Sequence, residues 1–342
     1  MSFYCGIDLG AREAQLCVIN SRVERVLEIK VGNKLEHIKQ LLAPYQAELE
    51  IVVESTFNWY WLVDGLQAAG FKVVLAHTLG LHLIRGAKVK TDRRDAFALA
   101  KLLLAGLIPA AYIYPAETRP VRDLLRRRGW LVQVRAGEYG SLRRLLLREG
   151  ILSRRQQEIK QASEADLEKW FKHEFVRLHA SQELERIKLY SQQIAELEAK
   201  ILAQAKKEWA FEWLQQLPGV GPIIALSIHY EIGELSRFAS ARDFSSYSRV
   251  VSGVAQSGAT VRRGRGSKQG NPYLKWAFSQ AAVHAVRNYP TVRRYYERQL
   301  QRHRGRGRQM VVYNIIAHKL AQAVYHLLKE RSEYHEELLF GR

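Results

Sequence analysis

Four carboxylates stand out by their settings: Asp8, Glu54, Asp92 and Asp95. Asp8 closes the apolar run Phe3-Tyr4-Cys5-Gly6-Ile7, and Glu54 closes Ile51-Val52-Val53. Asp92 and Asp95 stand three apart in Lys90-Thr91-Asp92-Arg93-Arg94-Asp95, at the mouth of a helix-like stretch. Two acids at strand ends and two on one helical turn can meet at one edge of a sheet. Gathered carboxylates repel one another unless a cation neutralises them, and hard oxygen donors suit Mg²⁺ or Mn²⁺, which bridge phosphate oxygens. Each acid alone has a plainer reading. Asp8 could start a turn before Gly10, Asp92 and Asp95 could serve a helix N-terminus, and Glu54 could be a solvated strand end. All four plain readings holding together is the weaker explanation.

A second chemical candidate is the loop Ser257-Gly258-Ala259-Thr260-Val261-Arg262-Arg263-Gly264-Arg265-Gly266-Ser267-Lys268. A hydroxyl beside glycine, followed by Arg262, Arg263, Arg265 and Lys268, can bring a nucleophile to a held phosphate, with the cations stabilising the leaving group. On spacing alone, a phosphate clamp in which Ser257 only donates a hydrogen bond is the simpler reading. A third candidate is Leu217-Pro218-Gly219-Val220-Gly221-Pro222, a Gly-x-Gly turn between two helical stretches that resembles a helix-hairpin-helix. Gly219 and Gly221 would let backbone amides approach a phosphate at the second helix's N-terminus.

The elements that must position these groups can be read from hydrophobic period and turn residues. Phe3–Asp8, Gln15–Asn20 and Arg25–Val31 read as strands, followed by a helix over Lys34–Leu42 and a strand over Leu49–Glu54. A helix over Tyr60–Ala69, a strand over Phe71–Ala76 and a helix over Ala96–Ala105 complete the first hundred residues. Three strands and then helix–strand repeats make a mixed α/β sheet in the element order of a ribonuclease-H-like fold. Residues 119–205 read as helical almost throughout. Leu184, Ile187, Ile194, Leu197 and Ile201 form a heptad-like seam broken at Tyr190 and Ser191, either a short coiled coil for dimerisation or a helix packed on its own domain. The C-terminal part is mainly α, with helices over Asn271–Asn288 and Met310–Lys329 and a Gly- and Arg-rich loop from Ser257 to Gly270. This gives three regions: a catalytic α/β domain over 1–118, a basic helical and coiled-coil region over 119–208, and a C-terminal domain over 209–342.

Charge narrows the partner. The 342-residue chain carries a net +19, and the excess lies in two windows. Residues 119–155 hold eleven Arg against three acids, and residues 257–308 hold thirteen Lys and Arg against one acid, Glu297. Arginine dominates, with Arg126, Arg127, Arg128, Arg143 and Arg144 as candidate contacts, which favours phosphate recognition over simple solvation. Neither window is flanked by a strongly apolar face or a lipidation motif, which argues against a membrane surface. No stretch approaches the roughly 18 apolar residues of a membrane span, and the N-terminus lacks a basic segment followed by an apolar one. Cys5 and Cys17 have no companion cysteines for a zinc site and read as small buried apolar residues, consistent with a reducing cytoplasm. Trp59, Tyr60 and Trp61 could stack on bases, although core packing accounts for them better. Asp8-Leu9-Gly10 also occurs in sugar-kinase and actin-like ATPases, but their second phosphate hairpin and Gly-rich adenosine segment are not evident.

Taken together, these motifs resemble the insertion-sequence transposases of the IS-one-ten family, related to the Piv/MooV DNA invertases. Gly6-Ile7-Asp8, Val53-Glu54-Ser55-Thr56 and Lys90-Thr91-Asp92-x-x-Asp95-Ala96 are similar to the family's RuvC-like acidic quartet in order and spacing. Pro218-Gly219-Val220-Gly221, the Ser257-Gly258 loop and Ser267-Lys268-x-Gly270-Asn271-x-x-Leu274 are similar to its C-terminal domain. The resemblance implies that the quartet binds Mg²⁺ and that a serine, at Ser257 here, attacks DNA to form a phosphoserine link. It also implies a structured non-coding guide (bridge) RNA that pairs with donor and target DNA. Recombining two duplexes takes four strand cleavages, so a dimer of dimers is expected, with Gln182–Ala205 as the dimer contact. Val254-Ala255-Gln256 departs from the charged run expected before the serine, which leaves Ser252 and Thr260 as lesser candidates. Two other functions remain: a Holliday-junction-type nuclease that activates water with the quartet alone, and a non-catalytic nucleic-acid binder on a decayed nuclease fold.

Overall fold

The computed structural model describes residues 2–84, 92–151, 156–205, 208–251, 253–257, 260–264, 269–331 and 334–341, of which 82–84, 156, 253–257 and 260–264 are described by backbone alone. The chain divides into two compact units, Met1–Ala116 and Glu117–Arg342.

The first unit is built on a mixed five-stranded sheet with order β3-β2-β1-β4-β5. Its strands are β1 (Phe3–Leu9), β2 (Glu13–Asn20), β3 (Arg25–Gly32), β4 (Leu49–Glu54) and β5 (Lys72–Ala76). β1, β2 and β3 form an antiparallel meander, and β4 and β5 then add in parallel to β1, which requires helical crossovers. The helices are α1 (Leu35–Leu42), α2 (Tyr60–Ala68), α3 (Thr78–Ile84) and α4 (Asp92–Leu104). One face packs α1 and α2 on Cys5, Ile7, Leu9, Ile51 and Val53; Trp59 lies in this core, with Tyr60 and Trp61 against it. The core reading of these aromatics therefore holds, and so does that of the cysteines, both fully buried as free thiols.

The other face is covered by α4, which lies across β1, β2 and β4. Gly6 permits this close approach. A Cβ there would collide with the Ala96 carbonyl oxygen and sit 2.7 Å from the Ala100 nitrogen, so any larger residue would push the helix off the strand. The helix begins at Asp92, four residues earlier than the apolar period suggests, because its first turn is polar: Asp92-Arg93-Arg94-Asp95.

Among the described residues, the second unit is helical apart from one hairpin. Its helices are α5 (Arg119–Arg148), α6 (Gln156–Gln161), α7 (Glu164–Trp170), α8 (Glu174–Ala205), α9 (Trp209–Gln215), α10 (Pro222–Ile232), α11 (Ala241–Tyr247), α12 (Pro272–Asn288), α13 (Pro290–Arg302), α14 (Arg308–Glu330) and α15 (Glu336–Phe340). α5 and α8 form a long antiparallel pair: Arg128 meets Glu198, Arg135 meets Ser191 and Glu138 meets Arg186, so numbers rise on one helix as they fall on the other.

Of the two readings of the Gln182–Ala205 helix, dimer arm or helix packed on its own domain, this pairing supports the second for the seam. Leu184, Ile187, Ile194 and Ile201 are buried within the chain; Leu184 and Ile187 share a cluster with Leu142, Leu145 and Leu146 of α5, and Ile201 shares one with Leu125. The polar break at Ser191 has a use, since its hydroxyl accepts from Arg135 at 3.2 Å and donates to the Ile187 carbonyl at 2.7 Å. A larger core joins α9, α10, α11, α12 and α14 through Leu214, Ile228, Phe244, Phe278 and Ile316.

The expected loop from Ser257 is also corrected in part. Gly253–Ser257 (β6) and Thr260–Gly264 (β7) pair antiparallel, with Ser257 opposite Thr260 and Ala255 opposite Arg262.

Candidate functional site

The acidic edge follows from register. β1 and β4 pair in parallel with Gly6 opposite Val52 and Ile7 opposite Val53. One step further places Asp8 beside Glu54. Side chains alternate across a strand, so Asp8 shares a face with Gly6 and Glu54 with Val52. That is the α4 face, because Gly6 abuts Ala96 and Val52 packs with Leu99. α4 runs against β1: Ala96 lies over Gly6, while Leu104 packs near Tyr4 at the strand's start. Its first turn, carrying Asp92 and Asp95, is therefore at the Asp8 end. All four carboxylates come to one edge of one face; Asp8, Glu54 and Asp95 are half-buried and Asp92 is exposed.

The edge is held by polar ties from three loops. The Gly10 carbonyl accepts from Asn33 Nδ2 at 3.1 Å and from Asn58 Nδ2 at 2.9 Å. Thr56 Oγ1 donates to Asn58 Oδ1 at 3.0 Å, and Ser55 Oγ lies 3.2 Å from Thr78 Oγ1. These ties fix the turn after Asp8 against the segment after Glu54. Cations stand alongside. Arg93 Nε donates to Glu28 Oε2 at 2.6 Å and holds that carboxyl below its usual range. Lys30 is raised mainly by its hydrogen bond to Glu13, with a smaller contribution from Asp92.

By type and placement the four carboxylates suit a hard divalent cation. They are not drawn together at ligand spacing, since among the described residues no three His, Cys, Asp or Glu side chains are grouped to hold a metal ion. Three neighbours escaped the sequence reading. Asn33 and Asn58 carry no signal beyond their turn positions. His77 directly follows Ala76, the register partner of Glu54, and its Nδ1 accepts from the Gly80 amide at 3.2 Å.

In the second unit the candidate arginines separate into two kinds. Arg126 clamps the buried Glu231 with Nε at 2.6 Å and a terminal nitrogen at 2.8 Å, and its guanidinium stacks 4.3 Å from the Tyr273 ring centroid. Arg128 Nε donates to Glu198 at 2.8 Å. Arg127 is exposed and stacks on Trp130 at 4.2 Å; Arg143 and Arg144 are exposed on the same helix. So Arg126 and Arg128 have internal carboxylate partners, whereas Arg127, Arg143 and Arg144 present themselves to solvent.

The Gly-x-Gly turn joins α9 to α10 as expected, but its glycines differ. Gly219 has φ +77°, and a Cβ there would collide with the Ala281 carbonyl and sit 2.6 Å from the Ala285 nitrogen. What approaches Gly219 is the backbone of α12. Gly221 faces open space and N-caps α10 without any side-chain hydrogen bond. Ser257 stands at the end of β6, and Arg262 and Arg263 on β7. Arg265, Lys268 and the lesser candidate Ser252 lie outside the described residues.

Among the described residues no helix is long and apolar enough to cross a membrane. Comparison with known families gives two matches. Residues 5–149 match a transposase model of the DEDD IS110 kind, and residues 212–297 match the Transposase IS116/IS110/IS902 family. Curated relatives agree. The chain is 28% identical over 271 residues to a probable family 20 transposase of Pseudomonas aeruginosa, covering 76% of this chain and 80% of the relative. It is 26% identical over 262 residues to the transposase for insertion sequence element IS1111A of Coxiella burnetii, covering 72% and 68%. It is 25% identical over 249 residues to the putative transposase y4qE of Sinorhizobium fredii, covering 72% of this chain but only 60% of that relative's length.

Proposed function

Because the chain belongs to the IS116/IS110/IS902 family of transposases, we propose that it is a metal-dependent DNA recombinase that moves an insertion sequence under RNA guidance. The observation that carries the reading is the convergence of Asp8, Glu54, Asp92 and Asp95 on one sheet edge. Strand order 3-2-1-4-5 with an antiparallel second strand supports a ribonuclease-H-like, RuvC-type domain. The quartet would hold Mg²⁺ or Mn²⁺, and a bound divalent ion supplies Lewis-acid polarisation of phosphate oxygens.

The chain's own residues then have distinct tasks. The ties through Asn33 and Asn58 keep the Asp8 and Glu54 loops in place. Ser257 Oγ gives up its proton and attacks the scissile phosphorus. The serine–phosphate bond forms as the bond to the 3′ oxygen breaks, and that oxygen takes up a proton. A 3′ hydroxyl of the exchanging strand then attacks the phosphoserine, which restores the serine and makes a new phosphodiester. One phosphodiester is lost and one gained, so no nucleotide triphosphate is needed. Arg127, Arg143, Arg144, Arg262, Arg263, Arg265 and Lys268 serve the backbones of donor DNA, target DNA and guide RNA, while base pairing carries sequence choice.

With α8's seam covered by α5, the proposed dimer of dimers would use other surfaces. The test is substitution of Asp8→Asn and Ser257→Ala in the full chain, assayed for strand exchange with bound RNA retained. Both variants should bind nucleic acid and fail in exchange. Full activity in either would refute that residue's role.

A further inference from the structure

The second unit contains a cleft of about 650 Å³ lined by the Gly219–Ile224 turn, by Arg128 and Val132 of α5, and by Trp276, Gln280, His284 and Asn288 of α12. The last four recur every fourth residue and so share one helix face. Gly219 seats the turn against the adjoining face of α12, where Ala281 and Ala285 allow backbone contact, and this leaves the stripe as one wall. Trp276 rests partly on the core and still lines the cleft. Gln280, His284 and Asn288 place hydrogen-bonding groups along the same wall, and Tyr289 closes its end.

We infer that this cleft receives a single unstacked nucleobase from a bound nucleic-acid strand, with the base stacked on Trp276 and its edge met by Gln280, His284 and Asn288. The charge pattern selects this occupant. Arg128, the one arginine in the lining among the described residues, has its charge matched by Glu198. The side chains of the cleft therefore suit a flat, uncharged, hydrogen-bonding group. Lys275 and Arg287 are exposed on the same helix and stand outside the cleft lining. A nucleotide with its base in the cleft would leave its backbone outside, in reach of solvent-exposed cations. The volume is ample for a base and its sugar. The inference rests on the nucleic-acid reading above and adds a base-binding position to it.

The test uses the full-length protein and fluorescein-labelled oligonucleotides: single-stranded DNA, single-stranded RNA and a blunt DNA duplex. Base–aromatic stacking predicts that Trp276→Ala weakens single-strand binding roughly ten- to a hundredfold, with duplex binding unchanged. Trp276→Phe keeps a stacking ring and should stay within a few-fold of the parent. The loss should leave the salt dependence unaltered, because no phosphate contact is removed. His284→Ala, an exposed change that spares the core, should alter preference among dA, dC, dG and dT homopolymers. The DNA and RNA arms identify which strand supplies the base. Equal binding of single strands by Trp276→Ala and the parent overturns the inference, as does a loss that Trp276→Phe fails to rescue. If the parent binds no nucleic acid, the broader reading falls as well, which separates the two failures.

Discussion

The two units treat like charge in opposite ways. In Met1–Ala116 the carboxylates of interest sit where regular structure ends: two at the ends of adjacent parallel strands and two on the first turn of the helix above them. Strand register and one close glycine contact place them together. In Glu117–Arg342 the arginines are distributed by helix face. On α5, Arg119 and Arg122 are buried, and Arg126, Arg128 and Arg135 turn inward to Glu231, Glu198 and Ser191. Arg127, Arg143, Arg144 and Arg148 remain exposed. A count of charges therefore overstates the binding surface in the helical unit. In the sheet unit four isolated acids understate the site, because their proximity appears only after the strands pair.

The comparison can be broken most severely at the acids. Asp8→Asn or Glu54→Gln should lower strand exchange by about a thousandfold or more, since several kcal/mol of transition-state stabilisation are at stake. Thermal unfolding of these variants should be little changed, because both side chains lie at a half-open edge. A large loss of stability would instead make the quartet structural.

The inward arginines should behave in the reverse manner. Arg126→Ala would remove the bidentate partner of Glu231, which is 2% exposed and also accepts from Asn271 Nδ2 at 2.7 Å. Removing one partner of a buried ion pair costs about 3–5 kcal/mol, readable by urea denaturation. The glycines of the turn offer a matched pair of similar size. Gly219→Ala combines a positive φ with a collision against α12 and should destabilise by roughly 3 kcal/mol or more, whereas Gly221→Ala should cost about 1 kcal/mol or less.

The outward arginines should affect binding alone. Arg143→Ala with Arg144→Ala should leave stability within about 0.5 kcal/mol. Each lost phosphate contact should flatten the log–log salt dependence of DNA affinity by roughly 0.9. An unchanged salt slope would show that this part of α5 is only solvated.

The smallest expected effect is one of pH. Burial lowers the pKa of His229, and Glu208 opposes that shift with a 3.1 Å contact. The unfolded chain takes up a proton on this histidine near pH 6.5, before the folded chain does, so stability is lost as pH falls below about 6.5. In His229→Gln the fall in stability between pH 7 and pH 5 should be shallower than in the parent.

Much of the sheet unit was legible because its local signals agree. Leu49–Glu54 reads as a strand from its β-branched run and forms one over the same residues, and Gly10 marks the turn after Asp8. α13 was missed because only Val292 and Tyr295 of its thirteen residues are buried, too few to set a period. The glycines and arginines of Ser257–Gly270 read as loop, yet Thr260–Gly264 within it pairs with Gly253–Ser257, because backbone pairing does not depend on those side chains. The division of α5's arginines was not legible, since Arg126 depends on Glu231, 105 residues away in sequence. Likewise the α8 seam advertised an apolar face but not whose helix would cover it.

The central claim is covalent strand exchange that depends on the acidic edge. Its most direct test incubates the full-length protein with its co-purifying RNA and end-labelled donor DNA, with and without Mg²⁺, and resolves the products on a denaturing gel. A slow-migrating protein–DNA adduct should form only with Mg²⁺, disappear in Asp8→Asn and Ser257→Ala, and yield a Ser257 peptide carrying a nucleotide. Cleaved DNA with free ends and no attached protein, or an adduct that persists in Ser257→Ala, would contradict the account.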